Sequence, residues 1–393
     1  MSFSSLPLSY CTNVHSGLRL SDVKSGLTNY TVPISQSDSE TLSAGLWLAE
    51  PVTAELLAEN RNLPEFADWL HQNQLSCHTL NAFPYGNFHE KRVKENVYIP
   101  DWADPKRLAY TQDCATILAG LIADETIEGS ISTVPLGFKG FTHPDDFEER
   151  AISQLLDLAR WLNQLRDKTG RTIRLAIEPE PFCLLETTEE TIRFFHRLRN
   201  RAADSDLLDE VENFLGVCYD VCHQSVEFED VAQSIQQLAA ENIHINKVHI
   251  TCAIQVDRPA DNPKAREALA RYVEPRYLHQ TMGLLPNGNI VRAIDLTEQI
   301  AREPDESFLA AETWRVHFHV PVDAEQLGPL KTTRPDLRKA LQTVAALNDA
   351  PHLEIETYTW EVLPDGSGTN LVEGLSKEIS ATRQLLAEIA LGE

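Results

Sequence analysis

Apolar and polar positions alternate along this chain in two rhythms. Short runs rich in β-branched and aromatic residues occur at 8–14 (LSYCTNV), 43–49 (SAGLWLA), 76–83 (SCHTLNAF), 130–137 (SISTVPLG) and 173–179 (IRLAIEP). They recur at 215–221 (LGVCYDV), 247–254 (KVHITCAI), 314–322 (WRVHFHVPV) and 352–360 (HLEIETYTW). Many are apolar on both alternating faces, as strands covered on both sides of a parallel sheet are. Between them apolar residues return at helical spacing. DDFEERAISQLLDLARWLNQLRDKTG opens on acidic residues at 145–149 and stops at Gly170, a helix with both end signals. Segments 336–349 and 371–391 read the same way.

Repeated strand–helix units with right-handed crossovers predict an α/β fold, a (β/α)8 TIM barrel. The candidate strands number nine, one too many for eight. The stretch 262–312 is long, contains LLPNGN at 284–289 and carries no clear strand. We therefore expect a single barrel domain over 1–393 with an inserted segment at about 255–312, and 314–322 as a candidate strand outside the barrel proper. No linker and no internal repeat divides the chain.

Composition narrows the function. The 393 residues are 42% hydrophobic and 24% charged, and the formal net charge is −25. Such a surface repels phosphate backbones and anionic lipid, which argues against nucleic-acid binding. No apolar run approaches the ~18 residues of a spanning helix, so membrane insertion is not expected. MSFSSLPLSYC lacks the basic and apolar segments of a signal peptide. Seven scattered cysteines suit a reducing compartment, and the expected location is cytoplasmic. Cys218 and Cys222 form a lone C-x3-C that reads as core packing.

Barrel enzymes place their chemistry at the C-terminal ends of the strands, so polar residues closing apolar runs are the candidates. Glu178 follows Leu175–Ala176–Ile177, and Pro179 and Pro181 end the strand there. Glu180 shares its parity but reads as a solvent-exposed loop residue. Asp220 closes Val217–Cys218–Tyr219, and His223 follows three residues later. His249 faces away from Val248 and Ile250. Glu354 and Glu356 share one face of their run; one of the two is expected to have a structural partner. His317 and His319 share a face, with Arg315 in the same parity. Oxygen and nitrogen donors together suit Mn, Zn, Co or Fe, whereas an all-oxygen set would suggest Mg or Ca.

Glu at one strand end, D-x-x-H at the next, His on the one after and Glu on the last resembles xylose-isomerase-like TIM barrels. That superfamily also includes sugar epimerases and endonuclease IV. The resemblance implies Glu178, Asp220, His249 and Glu356 as metal ligands, with His223 touching substrate or a second metal. More closely, YCTNVHSG (10–17), NAFPYGNFHEKRVKENVYIPDW (81–102), SISTVPLGFK (130–139), RYLHQTMG (276–283), WRVHFHVPV and HLEIETYTWEVLP are similar to the metabolite traffic protein EboE family. That likeness spans nearly the whole chain and implies the same barrel, in a gene cluster associated with making or moving a secondary metabolite. One departure concerns the endonuclease branch, which carries histidines on early strands. SISTVPLG has none, His89 in GNFHEK is the one early contributor, and His279 follows the His249 strand.

These readings converge on a divalent-metal isomerase or epimerase acting on a sugar- or cyclitol-like polyol. Glu178 and Glu356 would be its base and acid, and His223, Arg315, His317, His319, His89 and His279 would contact the small-molecule substrate. Two rivals use the same pocket: a metabolite-binding protein without chemistry, and an endonuclease IV-like phosphodiester hydrolase, which the charge of −25 disfavours. Assembly as a homo-oligomer is compatible with all of this.

Overall fold

Eight parallel strands close into a barrel in the computed structural model, which describes residues 3–37, 40–122, 128–364 and 370–392. They are β1 (Ser9–Cys11), β2 (Ser43–Trp47), β3 (Thr79–Asn81), β4 (Glu128–Thr133), β5 (Thr172–Ile177), β6 (Leu215–Asp220), β7 (Ile245–Ile250) and β8 (His352–Ile355). Each strand pairs with the next in the chain, and β1 pairs with β8. This is the expected α/β architecture. Outward residues such as Ile173, Leu175, Val248 and Ile355 are buried beneath surrounding helices. Inward positions are small or polar, among them Ser9, Gly45, Thr79, Ser130 and Ser132.

The long helices carry the end signals that their sequences announce. Phe147–Thr169 stops at Gly170, whose φ of 72° is the left-handed cap that glycine adopts freely. Thr188–Ala203 opens on a reciprocal capping pair, Thr187 and Glu190. Leu371–Leu391 opens on Asn370, whose side chain accepts from Glu373 N–H. Among the described residues no helix is long and apolar enough to cross a membrane.

Between β7 and β8 the chain builds a second, antiparallel sheet. Its strands lie in the order Ile290–Ala293, Thr281–Leu284, Thr313–Val316, Ile254–Asp257, Leu330–Thr332 and Gln326–Leu327. The ninth candidate strand therefore belongs here. The excursion starts near the expected 255 but runs past 312, to Thr332. The stretch 262–312 does hold strands: Thr281–Leu284 and Ile290–Ala293 form a hairpin across PNG. Each is four residues long and the second is only partly buried, so neither shows a clear apolar pattern. KVHITCAI is two strands, because the chain leaves the barrel after Ile250 and enters the second sheet at Ile254.

Candidate metal centre

The rim of the barrel brings four polar side chains to one place. Asp220 is the last residue of β6, His249 lies in β7, and Glu178 and Glu356 stand one step beyond β5 and β8. Asp220 is in register with His249 across β6 and β7. Each of the four offers a ligand atom within 4.8 Å of the others, and all are buried. His249 Nδ1 lies 3.0 Å from Glu178 Oε1, 3.2 Å from Glu356 Oε2 and 3.6 Å from Asp220 Oδ2.

Groups outside the cluster hold one oxygen of Asp220 and one of Glu356. Asp220 Oδ1 accepts from His223 N–H at 3.0 Å, capping helix Val221–Val226, and from Thr251 Oγ1 at 2.8 Å. Glu356 Oε1 accepts from Asn13 Nδ2 at 2.8 Å and Asn81 Nδ2 at 2.7 Å. Glu178 Oε2 and Asp220 Oδ2 are buried with no hydrogen-bond partner among the described residues. A buried carboxylate oxygen without a partner is costly, and a cation relieves that cost. Three carboxylates and one imidazole nitrogen, two of the oxygens orphaned, form a donor set that fits a divalent metal ion.

The electrostatics are those of crowded acids out of water. Burial pushes the Glu178 carboxyl up against the pull of His249. Burial likewise lifts Glu356 to about 7, with His249 opposing and Glu178 adding to the rise. Burial would raise Asp220 too, but His223, His319 and His249 hold it below the usual carboxylate range. Burial disfavours charge on His249, yet Cys218, Glu178 and Glu356 lift it well above the ordinary imidazole value.

Beside this cluster stand three more imidazoles. His223 Nδ1 meets Pro179 O at 3.0 Å, His317 Nδ1 meets Gln280 Oε1 at 2.6 Å, and His319 Nδ1 meets Glu356 O at 2.8 Å. Each Nδ1 faces an acceptor, which assigns its proton there and turns a lone pair outward on Nε2. His317 Nε2 is 3.1 Å from both His223 Nε2 and His319 Nε2. Asp220, His223 and His319 also offer ligand atoms within 4.8 Å of one another, so Asp220 borders both groups.

Glu178, Glu180, His223, His317, His319 and Glu356 line one cavity at the rim, and Arg315, His89 and His279 do not. Arg315 bonds to Gln255 Oε1, Ser225 O and Asp336 Oδ2, at 2.7–3.0 Å. Its strand ends at Val316, so the parity shared with the histidines does not extend to them. His89 Nε2 meets Asn13 O at 2.8 Å, on the loop that carries Asn13. His279 is spent between His317 O and Glu274 Oε1, both at 2.9 Å. Glu180, read as exposed, is buried: it accepts from Tyr98 OH at 2.6 Å and Gln280 Nε2 at 3.2 Å, and burial pushes it to about 8. Its parity with Glu178 was the available signal.

Glu354 also escaped a functional reading. It is wholly buried and in register with His249, and its Oε2 lies 3.1 Å from His249 Nε2. Asn81 shares inward parity with Thr79, a pattern that could have marked it, whereas Asn13 lies in the helical turn after β1, where strand alternation has ended.

No protein-family model matches the chain, and no curated protein matches it. Among solved structures it is similar to an L-ribulose 3-epimerase, at 12% identity and TM-score 0.51, covering 98% of this chain and 96% of that one. It is similar to a xylose isomerase domain protein from Planctomyces limnophilus, at 11% identity and TM-score 0.50, covering 99% and 98%. A xylose isomerase-like TIM barrel protein from Mycobacterium smegmatis, solved with magnesium, aligns at 10% identity and TM-score 0.51, covering 98% of each chain. The chain thus shares the TIM-barrel fold of these proteins.

Proposed function

We propose that this protein is a divalent-metal-dependent isomerase or epimerase of a sugar- or cyclitol-like polyol. One observation carries the reading: Glu178, Asp220, His249 and Glu356 place ligand atoms within 4.8 Å of one another, with two buried oxygens left unpartnered. These four would hold the metal, and the nitrogen donor favours Mn, Zn, Co or Fe. A divalent cation bound there supplies Lewis acidity to a substrate carbonyl and its neighbouring hydroxyl.

The chain's own groups do the rest. Glu178 takes the proton from the carbon beside the carbonyl, and Glu356 returns one. His223, His317 and His319 turn Nε2 toward one another and, with Asp220 bordering His223 and His319, would hold a second cation. Phe83, Phe88, Tyr98, Tyr277 and Tyr358 line the same cavity, and aromatic faces suit the apolar faces of a sugar ring. The sugar-handling and magnesium-bound proteins that share the fold support the choice of substrate class and of a metal. The likeness to the EboE family adds a setting in secondary-metabolite production or traffic.

The test is isotope exchange. Protein loaded with manganese, zinc or cobalt is incubated in deuterium oxide with a panel of ketoses and cyclitols, and carbon-bound deuterium is read by NMR. Exchange that vanishes in Glu178→Gln supports the reading. A bound polyol without exchange would replace it with a non-catalytic traffic protein. The second cation position favours one rival, hydrolysis of a phosphodiester; release of nitrophenolate from bis-nitrophenyl phosphate by the same loaded protein would establish that rival instead.

A further inference from the structure

Below the candidate centre the barrel interior holds a charged pair where aliphatic side chains usually fill such barrels. Lys247 and Glu354 are both completely buried, and Lys247 Nζ lies 2.6 Å from Glu354 Oε2. The same oxygen accepts from His249 Nε2 at 3.1 Å. Neither residue lines the cavity. Space for Glu354 exists because position 45 is glycine: a Cβ there would stand 1.5 Å from Glu354 Oε1, with Tyr10 O only 3.1 Å away on the other side. Lys247 has further acceptors in Leu80 O and Ser132 Oγ, both at 3.3 Å, so the ammonium is anchored independently of the glutamate.

An imidazole whose Nε2 keeps its proton offers a cation the lone pair of Nδ1, and Nδ1 of His249 is the atom that faces Glu178, Asp220 and Glu356. With the opposite tautomer it would aim an N–H into the centre. We propose that Gly45, Lys247 and Glu354 form a positioning device for His249: Glu354 holds the Nε2 proton and so presents Nδ1 as a metal ligand, Lys247 keeps Glu354 charged in place, and Gly45 leaves it room. The inference deepens the proposed function and rests on it for the cation. The hydrogen bond itself stands apart from that reading.

Two measurements on the full chain test it. In metal-free, 15N-histidine-labelled protein the His249 Nε2 proton, assigned by its loss in His249→Gln, is expected as a slowly exchanging signal that disappears in Glu354→Ala and Gly45→Ala. Zinc binding by competition with a chromophoric chelator is expected to weaken about 10- to 100-fold in both variants, the range for partners that orient metal-bound histidines. The double variant Glu354→Gln/Lys247→Met keeps an acceptor for His249 without the charge pair, and binding within a few-fold of wild type is expected. A purely structural role would not be rescued this way. Absence of the protected proton in wild type overturns the proposal, as does unchanged zinc affinity in folded Glu354→Ala. Should wild type bind no cation at all, the proposed function fails, while the proton signal still judges the device.

Discussion

His317 Nε2 and His319 Nε2 stand 3.1 Å apart although both rings have their Nδ1 on an oxygen acceptor. With His223 Nε2 also 3.1 Å from His317 Nε2, three lone pairs share one small volume. Lone pairs so close repel unless a cation or a hydrogen-bond donor sits between them. We expect wild type dialysed against zinc to retain two ions per chain and His317→Ala to retain one, by elemental analysis. A single ion in both proteins would leave the three imidazoles to the substrate's hydroxyls.

Asp220 separates folding from binding. Its Oδ1 caps helix Val221–Val226 and accepts from Thr251, while Oδ2 has no hydrogen-bond partner among the described residues. Asp220→Asn keeps an oxygen for both donors and removes the charge. Its unfolding free energy in the metal-free state should stay within about 1 kcal/mol of wild type, whereas Asp220→Ala should lose about 1–3 kcal/mol with the cap and the stranded Thr251 hydroxyl. Both should bind zinc at least about tenfold more weakly, since a charged ligand is gone. Urea unfolding and chelator competition check the pair. An asparagine variant that binds like wild type would take Asp220 out of the centre.

How far the site could be read from the chain depends on which physical signal each residue left. Glu178, Asp220, His249 and Glu356 break or close apolar runs at strand ends, where parity and burial cost make a charged side chain conspicuous. Glu354 left the same signal, but only the register that sets it beside His249 tells what it does. Lys247 sits two residues before His249 on the inward face, in a strand whose apolar residues drew the eye outward. His317 and His319 were legible as a pair by their spacing, although both lie beyond the end of the strand at Val316. Arg315 was not, because the strand stops at Val316 and side-chain alternation stops with it. The barrel itself followed from repeated strand–helix periods; the hairpin of Thr281–Leu284 and Ile290–Ala293 did not, because four-residue strands carry little periodic signal.

Glu378 ties the second sheet to the end of the barrel. From helix Leu371–Leu391 it accepts from Val322 N–H at 3.0 Å, Thr357 Oγ1 at 2.6 Å and Trp360 Nε1 at 2.9 Å. Val322 follows His319 and Thr357 follows Glu356, so one carboxylate joins the segments that carry both histidine and glutamate. Thr357→Val removes one donor without changing volume much. Burial lifts Glu378 to about 7, so denaturant unfolding at about pH 8.5, where the carboxylate is charged, should show a loss of about 1.5–3 kcal/mol, the range for a hydrogen bond to a charged group. A loss under about 0.5 kcal/mol would mean that Glu378 is satisfied without Thr357.

His15 gives the fold a pH dependence of definite sign. The ring is buried, its Nε2 lies 2.9 Å from Tyr10 OH, and it stacks on Tyr30 at 4.6 Å. Burial, aided by His89 and opposed by Glu361, lowers it from 6.5 to about 3. Between those values the unfolded chain binds a proton that the folded chain refuses. The stabilisation is therefore complete above about pH 6.5 and is lost as pH falls toward about 3. Over that window His15 alone should cost about 1.4 kcal/mol of stability per pH unit. His78, lowered by burial to about 4, adds a second such slope. Urea unfolding of metal-free wild type and His15→Gln at about pH 7, 6 and 5 should show the variant's slope shallower by one proton's worth. Gln keeps an acceptor for Tyr10 OH, so equal slopes in the two proteins would mean that His15 charges in the native state and that Tyr10 and Tyr30 open to admit it.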